Sequence, residues 1–450
     1  MDDLPTTLDE TYERTLLEIP EEKWKHAHHL FQCLIVSSRP LRVQELAEVL
    51  VIRLDSETAP DLISGWRPED SEDAVLSACS SLLAIVKVYG SSVVQFSHFS
   101  VKEFLTSDRL AKAHARTVSR YHISPGPAHR LLAQACLSTL LQLDERIDKN
   151  GLKNYPLASY AARHWFDHAR FGDGSLSMRD EMIELFDPDK PHFSAWIWMH
   201  DVDQGWRERS LEDLAERPSR PKGTPLYYSA ACGLCRLTEQ LTAIHSKDLN
   251  PLESSVRVPL RVAVNKGYFD VARLLLDHGA DVNNKISNWT LLHHASYDGN
   301  SDVVQLLLEY RADVDCRADL DRTSLHLASE GGRLEAMQLL LEYRADVDSV
   351  MDHGWTPLHR ASAWIKLEAV RLLLHHGANT EAVDEWGMTA LHWASSLVGS
   401  FEVTRALLEG GANVHARAKS NQTPFEWASQ NRYRDTAQLL LEYGTEADSE

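Results

Sequence analysis

The chain has 450 residues, 43% of them hydrophobic and 25% charged, which is enough to bury more than one core. Its net charge of −20 disfavours nucleic acid and acidic membrane surfaces as partners. Six scattered cysteines and the lack of any apolar run of about 18 residues disfavour a disulfide-bonded secreted domain and a membrane-spanning protein. We therefore expect two or three modules in the reducing environment of the cytoplasm.

The N-terminal residues 1–110 predict a small domain that opens with helices. Thr7 and Glu10 have the spacing of a capping box, and the apolar residues of 7–19 recur with helical periodicity. A second helix is expected after Pro20. Two more are predicted over residues 43–53 and 71–82.

A hairpin is predicted after these helices. Residues 83–90 (LAIVKVYG) and 92–98 (SVVQFSH) have the character of strands, and we expect the chain to turn around Gly90, Ser91 and Ser92. Helices followed by a β-hairpin indicate a winged helix, a fold that often binds DNA. The N-terminal domain, however, contains 10 Lys and Arg against 19 Asp and Glu, a net charge of −9, which disfavours DNA binding.

A repeat with a period of about 33 residues fills the C-terminal half. Seven segments align with one another: GTPLYYSA, RVPLRVAV, WTLLHHAS, RTSLHLAS, WTPLHRAS, MTALHWAS and QTPFEWAS. Their shared apolar position, separated by gaps of 34, 32, 33, 33, 33 and 34 residues, falls at Leu226, Leu260, Leu292, Leu325, Leu358, Leu391 and Phe425. One helix pair cannot bury its leucine face alone, so neighbouring pairs are expected to stack into a continuous core.

The repeats carry the signals of helix starts, turns and helix ends. Hydroxyls that can cap a first helix are those of Thr224, Thr290, Thr323, Thr356, Thr389 and Thr423. Prolines follow at the first helical position, at Pro225, Pro259, Pro357 and Pro424. Residues that tolerate positive φ predict hairpin tips at Asn288, Asp321, Gly354, Gly387 and Asn421. Glycines suited to ending the second helix are Gly279, Gly377, Gly411 and Gly444, whereas Arg311 and Arg344 take this place in two repeats.

Residues 223–445 resemble the ankyrin repeat, whose pattern is Thr-Pro-Leu-His-x-Ala followed by a leucine-rich helix and Gly-Ala-Asp. The resemblance implies a helical solenoid that binds proteins and catalyses no reaction. In this family the recurring histidine is structural, and we expect each imidazole to tie its helix start to a neighbouring loop. The histidines at this position are His293, His326, His359 and His392.

The N-terminal half resembles a segment of fungal NACHT-type signalling NTPases with ankyrin tails. Residues 4–19 and 94–105 resemble the winged helix of that family, and residues 155–170 and 187–201 resemble its helical connector. The chain is thus expected to be mostly α, with a winged-helix domain at 1–110, a helical connector at 111–222 and about seven ankyrin repeats at 223–450.

Motifs for catalysis and cofactor binding are missing from the sequence. It contains no phosphate-binding loop of the form GxxxxGK[ST], so the nucleotide site of the family cannot be carried over, and no GxSxG or HExxH motif. We expect the chain to correspond to the C-terminal part of the family, as a truncated product or a separate adaptor, with no enzymatic activity, cofactor or metal. Cys232 and Cys235 have the spacing of a redox motif, but they lie where the first repeat turns between its helices, so a structural role is expected.

The candidate binding residues follow from the geometry of the family, which places hairpin tips and the groove ends of the first helices on one concave surface. Those positions hold Trp289, Tyr297, Asp298, Arg322, Glu330, Trp355, Trp364 and Trp386. Aromatic residues and arginine are enriched in binding hot spots. The alternative is that these rings pack against adjacent tips and only stiffen the array. Trp393 and Trp427 directly follow the recurring position and are expected to face the core between repeats, outside the site.

Three functional hypotheses follow. The first is a protein–protein interaction scaffold or sensor arm that binds a protein ligand on the ankyrin groove, with the N-terminal half docked onto a NACHT-type NTPase in a signalling pathway. The second is a regulatory subunit that controls such an NTPase in trans. The third, a DNA-binding winged-helix protein, is disfavoured by the charge of the N-terminal domain.

Overall fold

The chain divides into two compact units in a computed structural model. One unit comprises Met1–Asp248 with Lys266–Val271, and the other comprises Leu249–Asn265 with Ala272–Glu450. The domain boundaries expected from the sequence stay predictions. The structure describes residues 7–53, 61–62, 71–77, 79, 81–88, 90–113, 115–144, 147–171, 178–200, 202, 221–251 and 257–447.

The first unit begins with the predicted winged helix. The capping box is confirmed: the Thr7 hydroxyl accepts from the Glu10 N–H at 3.2 Å, and the Glu10 carboxylate accepts from the Thr7 N–H at 3.3 Å. The helices are Leu8–Leu17, Trp24–Val36, Val43–Val51, Ser71–Leu76, Phe99–Leu105, Asp108–Ala111 and Arg116–Ser119. Two antiparallel strand pairs are Ile52–Arg53 with Asp61–Leu62, and Leu83–Val88 with Ser91–Phe96.

Two predicted helices are shorter than expected. The helix predicted over 43–53 ends at Val51 because the next two residues form a short strand. The helix predicted over 71–82 ends at Leu76. The Ser77 hydroxyl donates to the Ala74 carbonyl at 3.0 Å, and this bond competes with continuation of the helix.

The hairpin turn is tighter than predicted. Ser91 pairs with Val88 and Ser92 with Lys87, so both serines belong to the second strand, and only Gly90, with a φ of 80°, keeps the predicted turn role. The Val94 N–H donates to the Leu41 carbonyl at 2.9 Å, which joins the hairpin to the segment before the third helix.

Further helices of the first unit surround an aromatic core. They are Pro125–Leu140, Ala158–Ala169, Arg179–Leu185, Pro191–Met199, Pro225–Ala231 and Cys235–Ile244. Trp165 and Trp196 are fully buried with ring centroids 5.8 Å apart, and Tyr228 of the first repeat lies 6.1 Å from Trp196. This contact explains why the first repeat departs most from the repeat pattern. Residues 201 and 203–220 of the predicted connector lie outside the described residues.

The predicted helix pairs continue from the second repeat onward. The first helices are Pro259–Asn265, Leu291–Asp298, Ser324–Gly331, Pro357–Ala363, Ala390–Ser395 and Pro424–Gln430. The second helices are Phe269–Asp277, Ser301–Glu309, Leu334–Glu342, Leu367–His375, Phe401–Glu409 and Arg434–Ala447. From the third repeat onward, each first helix packs against the first helix of the next repeat. The leucine faces that the sequence predicted are buried there, with Leu325, Leu358 and Leu391 at 0% exposure.

The residues predicted to end the second helices differ in outcome. Gly279, Gly377 and Gly411 have φ values of 91°, 81° and 86°, so the left-handed position is confirmed. Gly444 is a wrong prediction, because it lies inside the helix Arg434–Ala447, buried next to His415. The arginines that replace glycine are forced into the same conformation, with φ 62° at Arg311 and 66° at Arg344.

Candidate protein-binding groove

The hairpin tips of successive repeats share one geometry. The residue before each capping threonine closes a short turn: the carbonyls of Trp289, Arg322 and Trp355 accept from backbone N–H groups three or four residues earlier, at 2.9 Å in each case. Positive φ at Asn288, Asp321, Gly354, Gly387 and Asn421 confirms the predicted tips. The turn therefore places two predicted tryptophans and Arg322 at equivalent positions of three repeats.

A histidine ladder fixes these tips. His326 Nδ1 lies 3.3 Å from the Thr323 backbone N–H, and its Nε2 lies 3.0 Å from the carbonyl oxygen of Trp355 in the next tip. Accepting at Nδ1 and donating from Nε2 require a neutral imidazole. His359 and His392 make the equivalent contacts with the carbonyl oxygens of Met388 and Gln422, at 3.1 and 3.2 Å. His293 Nε2 lies 2.9 Å from the carbonyl oxygen of Cys316, in the loop that precedes the next tip. The predicted tie between helix start and neighbouring loop is confirmed.

Burial keeps the ladder uncharged. It lowers the pKa of His293 to about 4 and the pKa of His326 to about 3, and it lowers the pKa values of His359 and His392. An unpaired charge at these positions would be costly, since it would be desolvated. The ladder therefore holds the tips in place through neutral hydrogen bonds.

Three of the predicted site residues lie together at the N-terminal end of the groove. We call Trp289, Tyr297 and Arg322 the N-terminal cluster. The Tyr297 ring meets the Trp289 ring edge-on at 6.1 Å, and the Arg322 guanidinium lies 5.3 Å from the centre of the Trp289 ring. The Trp289 indole N–H donates to the Asp319 carboxylate at 3.2 Å. Tyr297 stays 48% exposed, so a ligand can reach this cluster.

Three others lie in a tryptophan cluster, which we define as Trp355, Trp364, Trp386 and Trp393. The Trp355 ring lies 6.1 Å from Trp364 and 4.6 Å from Trp393, and Trp393 lies 6.2 Å from Trp386. The two outer rings remain exposed, Trp364 at 43% and Trp386 at 46%, whereas Trp355 and Trp393 are half-buried. Trp393, expected to face the core between repeats, is instead half-buried: its ring contacts Trp355 and Trp386, and its indole N–H donates to the Asp384 carboxylate at 2.8 Å.

An arginine that the sequence did not single out supports this cluster. The Arg360 guanidinium lies 4.2 Å from the centre of the Trp364 ring and 5.6 Å from that of Trp355. It forms an ion pair with Glu330, a predicted site residue, and both side chains are mostly buried. Glu330 therefore neutralises a charge within the chain.

The remaining predicted residue, Asp298, lines a different place. It borders a cavity of about 330 Å³ together with Arg261 and His294. His294, Arg360, Trp393 and Trp427 all occupy the position directly after the recurring histidine position of their repeats. The residue type at this position differs from repeat to repeat, and this variation is the sequence signal that could have located Arg360 and Trp393. Whether the eight predicted residues bind a ligand stays a prediction.

The cysteine pair of the first repeat lies in a turn, as expected. Gly233 between Cys232 and Cys235 has a φ of 68°, and burial raises the pKa of the Cys232 thiol to about 12. Within the described residues, no group of three or more His, Cys, Asp or Glu side chains is arranged to hold a metal ion. A membrane-crossing helix, long and apolar enough to span the bilayer, is likewise not found in the described part of the chain.

Comparison with curated proteins finds relatives that share parts of this chain. The azaphilone pigments biosynthesis cluster protein L of Monascus ruber is 32% identical over 293 residues, which are 62% of this chain and 60% of that protein. Ankyrin repeat domain-containing protein 13B of Mus musculus is 37% identical over 93 residues, 20% of this chain and 15% of the relative. Ankyrin repeat and SAM domain-containing protein 6 of Mus musculus is 33% identical over 124 residues, 25% of this chain and 14% of the relative. The chain thus spans less than two thirds of each relative.

Family models match both halves of the chain. The model for the winged helix domain of GPI inositol-deacylase matches residues 14–117, which confirms the winged helix. The resemblance to NACHT-type NTPases stays indirect, since the matched family carries another name. Three copies of the ankyrin-repeat model match residues 226–318, 292–384 and 366–450, and together they span half of the chain. With these matches and the stacked, histidine-tied helix pairs, the chain belongs to the ankyrin-repeat proteins.

Proposed function

We propose that this protein binds a protein ligand along the groove formed by the hairpin tips and first helices of the third to sixth repeats. Ankyrin repeats serve protein interaction, and this architecture is typically non-enzymatic. The N-terminal cluster and the tryptophan cluster both lie at tips or first helices of these repeats. We propose that they are the anchor points of the ligand.

The observation that carries this proposal is the exposure of Trp364 and Trp386. Each keeps more than 40% of its surface accessible although both touch half-buried rings of the same cluster. Large apolar side chains held in water by rigid neighbours can bury area on binding at little cost in side-chain entropy. Rings of this kind are typical of binding hot spots.

The test compares two double variants of the full chain. Peptides selected from a random displayed library on the immobilised protein serve as ligands. Trp364→Ala with Trp386→Ala should weaken their binding by ~30-fold or more, since two hot-spot rings are lost. Tyr343→Ala with Leu441→Ala removes side chains that are also exposed, at 42% and 55%, but lie at the ends of or on second helices. This control should bind like the unaltered chain. Equal loss in both variants, or no selected peptide, would contradict the proposal.

For the N-terminal unit we propose docking onto a NACHT-type NTPase in a signalling pathway. The support is the winged-helix match at 14–117 together with the resemblance of residues 4–19 and 94–105. A chain that controls the NTPase in trans would change its turnover, whereas a scaffold would bind without changing it. A nucleotide-hydrolysis assay with a co-purified NTPase separates the two, and failure to co-purify such an enzyme argues against both.

We also propose a cytoplasmic location. All six cysteines, at positions 33, 79, 136, 232, 235 and 316, are free thiols. Free thiols are typical of a reducing compartment. Imaging of the tagged chain at native expression tests this proposal, and a secreted or organellar signal would overturn it.

A further inference from the structure

Arg261 occupies a special place in the repeat pattern. It aligns with the ladder histidines, because Leu260 aligns with Leu292 and the next residue in the later repeat is His293. Its side chain is half-buried in the first helix of the second repeat, and its Nη2 donates to His294 Nε2 at 3.3 Å. The second repeat therefore carries a permanent cation at the position where four later repeats carry a neutral ring.

This cation has no ion-pair partner in the described part of the chain, although Asp298 borders the same cavity. Its only hydrogen-bond partner there is the imidazole of His294, which must be neutral at Nε2 to accept. Two arginines elsewhere in the array do have an ion-pair partner: Arg360 pairs with Glu330, and Arg273 pairs with Glu309 at 3.2 Å.

The surroundings offer room for a ligand. A cavity of about 330 Å³ is bordered by Arg261, Asn265, His294, Asp298 and Asn300, among other residues. The Asn265 side-chain amide can donate and accept hydrogen bonds, and the Asn300 amide can donate from its nitrogen, because its oxygen already accepts from the Val303 N–H. The Asp298 carboxylate can accept from backbone N–H groups. The ring of His294 lies 5.0 Å from Trp289, so the cavity adjoins the N-terminal cluster.

We propose that this cavity binds the carboxylate of an Asp or Glu side chain in the ligand, which anchors an acidic peptide next to the N-terminal cluster. A planar guanidinium donates two parallel N–H bonds to a carboxylate, which makes arginine selective for this group. Asp298 repels any anion in the same space, and it repels a doubly charged phosphate more strongly than a singly charged carboxylate. The inference rests on the proposed function, since it assigns part of the groove to one residue type of the ligand.

Because the net charge is −20, a preference for acidic peptides would not arise from the charge of the chain as a whole. The chain as a whole repels acidic peptides, so an acidic preference has to come from a local cation that lacks a partner. Arg360 is not such a cation, because Glu330 neutralises its charge. Arg322, which contacts the Trp289 ring, is a second cation near the same end of the groove.

The experiment selects peptides from a random displayed library on the full chain and on two variants, Arg261→Met and Arg273→Met. We expect the unaltered chain and Arg273→Met to enrich peptides with Asp or Glu at a fixed distance from an aromatic or apolar residue. Arg261→Met should keep the aromatic preference and lose the acidic one. Arg273→Met is the matched control, because it removes the same charge from a second helix where Glu309 is the partner.

A coupling measurement completes the test. Replacing the acidic residue of the best peptide by its amide should weaken binding to the unaltered chain by ~10-fold or more, and should leave binding to Arg261→Met unchanged. Three outcomes would overturn the carboxylate subsite but not the proposed groove. The enriched peptides show no preference for acidic residues, they favour phosphoserine over Asp, or the amide replacement weakens binding equally to the unaltered chain and to Arg261→Met. A library from which no peptide is enriched would overturn the proposed function and the subsite with it.

Discussion

Two arginines of the ankyrin array lie in opposite surroundings. Arg360 lies against the rings of Trp355 and Trp364, and its charge is balanced by Glu330. Arg261 contacts a neutral imidazole beside a cavity and has no ion-pair partner among the described residues. A charge that is balanced within the chain supports the architecture, whereas an unbalanced one favours an external partner. The same residue type thus stiffens one region and, as we propose, recognises a ligand in the other.

The difference begins with the repeat position. In the third to sixth repeats a histidine stands where the second repeat has Arg261. The small imidazole is buried and bonds to the next tip, whereas the long guanidinium reaches the surface of the groove. One substitution in a repeated scaffold therefore exchanges a structural tie for a half-buried cation beside a cavity.

The largest expected effect is on stability in acid, which separates the histidine positions from Arg261. Burial lowers the pKa of His326 from 6.5 to about 3 and that of His293 to about 4. The folded state then binds fewer protons than the unfolded state. The stability that His293 and His326 contribute is fully present above about pH 6.5 and is lost as the pH falls toward their folded-state pKa values, by up to ~1.4 kcal/mol per pH unit for each of the two. Thermal unfolding measured across this range should show a steep fall.

Two variants localise this acid sensitivity. His326→Asn should reduce the pH slope by about one proton, because one titrating group is lost. Arg261→Met should change the slope less, since arginine stays protonated throughout and only the neighbouring His294, whose pKa burial and Arg261 lower, is affected. Identical slopes in all three proteins would contradict a role for the ladder in acid unfolding.

A smaller effect on stability is expected when two carboxylates, Glu330 and Asp298, are each replaced by the corresponding amide. Glu330→Gln should lower stability by ~2 kcal/mol, because it leaves the mostly buried guanidinium of Arg360 without its anion. Asp298→Asn should change stability by less than ~0.5 kcal/mol, since Asp298 is exposed. Calorimetric midpoints of the full chain measure both. A larger loss for Asp298→Asn would reverse the contrast between the two regions.

The tryptophan cluster itself contains packing rings and accessible rings. Trp355→Ala should lower stability by ~2 kcal/mol, because its half-buried ring contacts Trp364, Trp393 and Arg360. Trp386→Ala should lower it by less than ~1 kcal/mol, since nearly half of that side chain is exposed. Equal losses on thermal unfolding would favour the stiffening role for the whole cluster.

The smallest effect concerns backbone strain away from both regions. Arg311→Gly should raise stability by ~0.5–1 kcal/mol, because a non-glycine residue at a φ of 62° is strained. Gly377→Arg tests the reverse change where φ is 81° and an added Cβ would meet no atom within 4 Å. Its thermal midpoint should fall. An unchanged or lower midpoint for Arg311→Gly would refute the strain at this turn.

The repeat and its local signals were predictable from the sequence. Leucine spacing, capping threonines, N-terminal prolines and tip residues each depend on neighbours a few positions away, and the structure confirms them at Thr356, Pro357 and Asn421. The exceptions are two predicted helix ends. Ser77 ends a helix early, and Gly444 stays within one.

The site was less predictable because its contacts join different repeats. The place of Trp393 directly after His392 predicts a core position, whereas its half-buried ring contacts Trp355 at 4.6 Å. The pairing of Glu330 with Arg360 links residues 30 positions apart, which no local pattern reports. Repeat alignment alone could show that Arg261 replaces a histidine, but not that it lacks an anion.

What the sequence by itself determined is the ankyrin architecture, since helix pairs with apolar faces have to stack and their capping residues mark each start. What only the tertiary structure decided is which charges are paired and which aromatic rings are buried within the chain. Solvent exposure and ion pairing arise when separate repeats come together, so they could be assigned to Trp386, Arg360 and Arg261 only after packing was known.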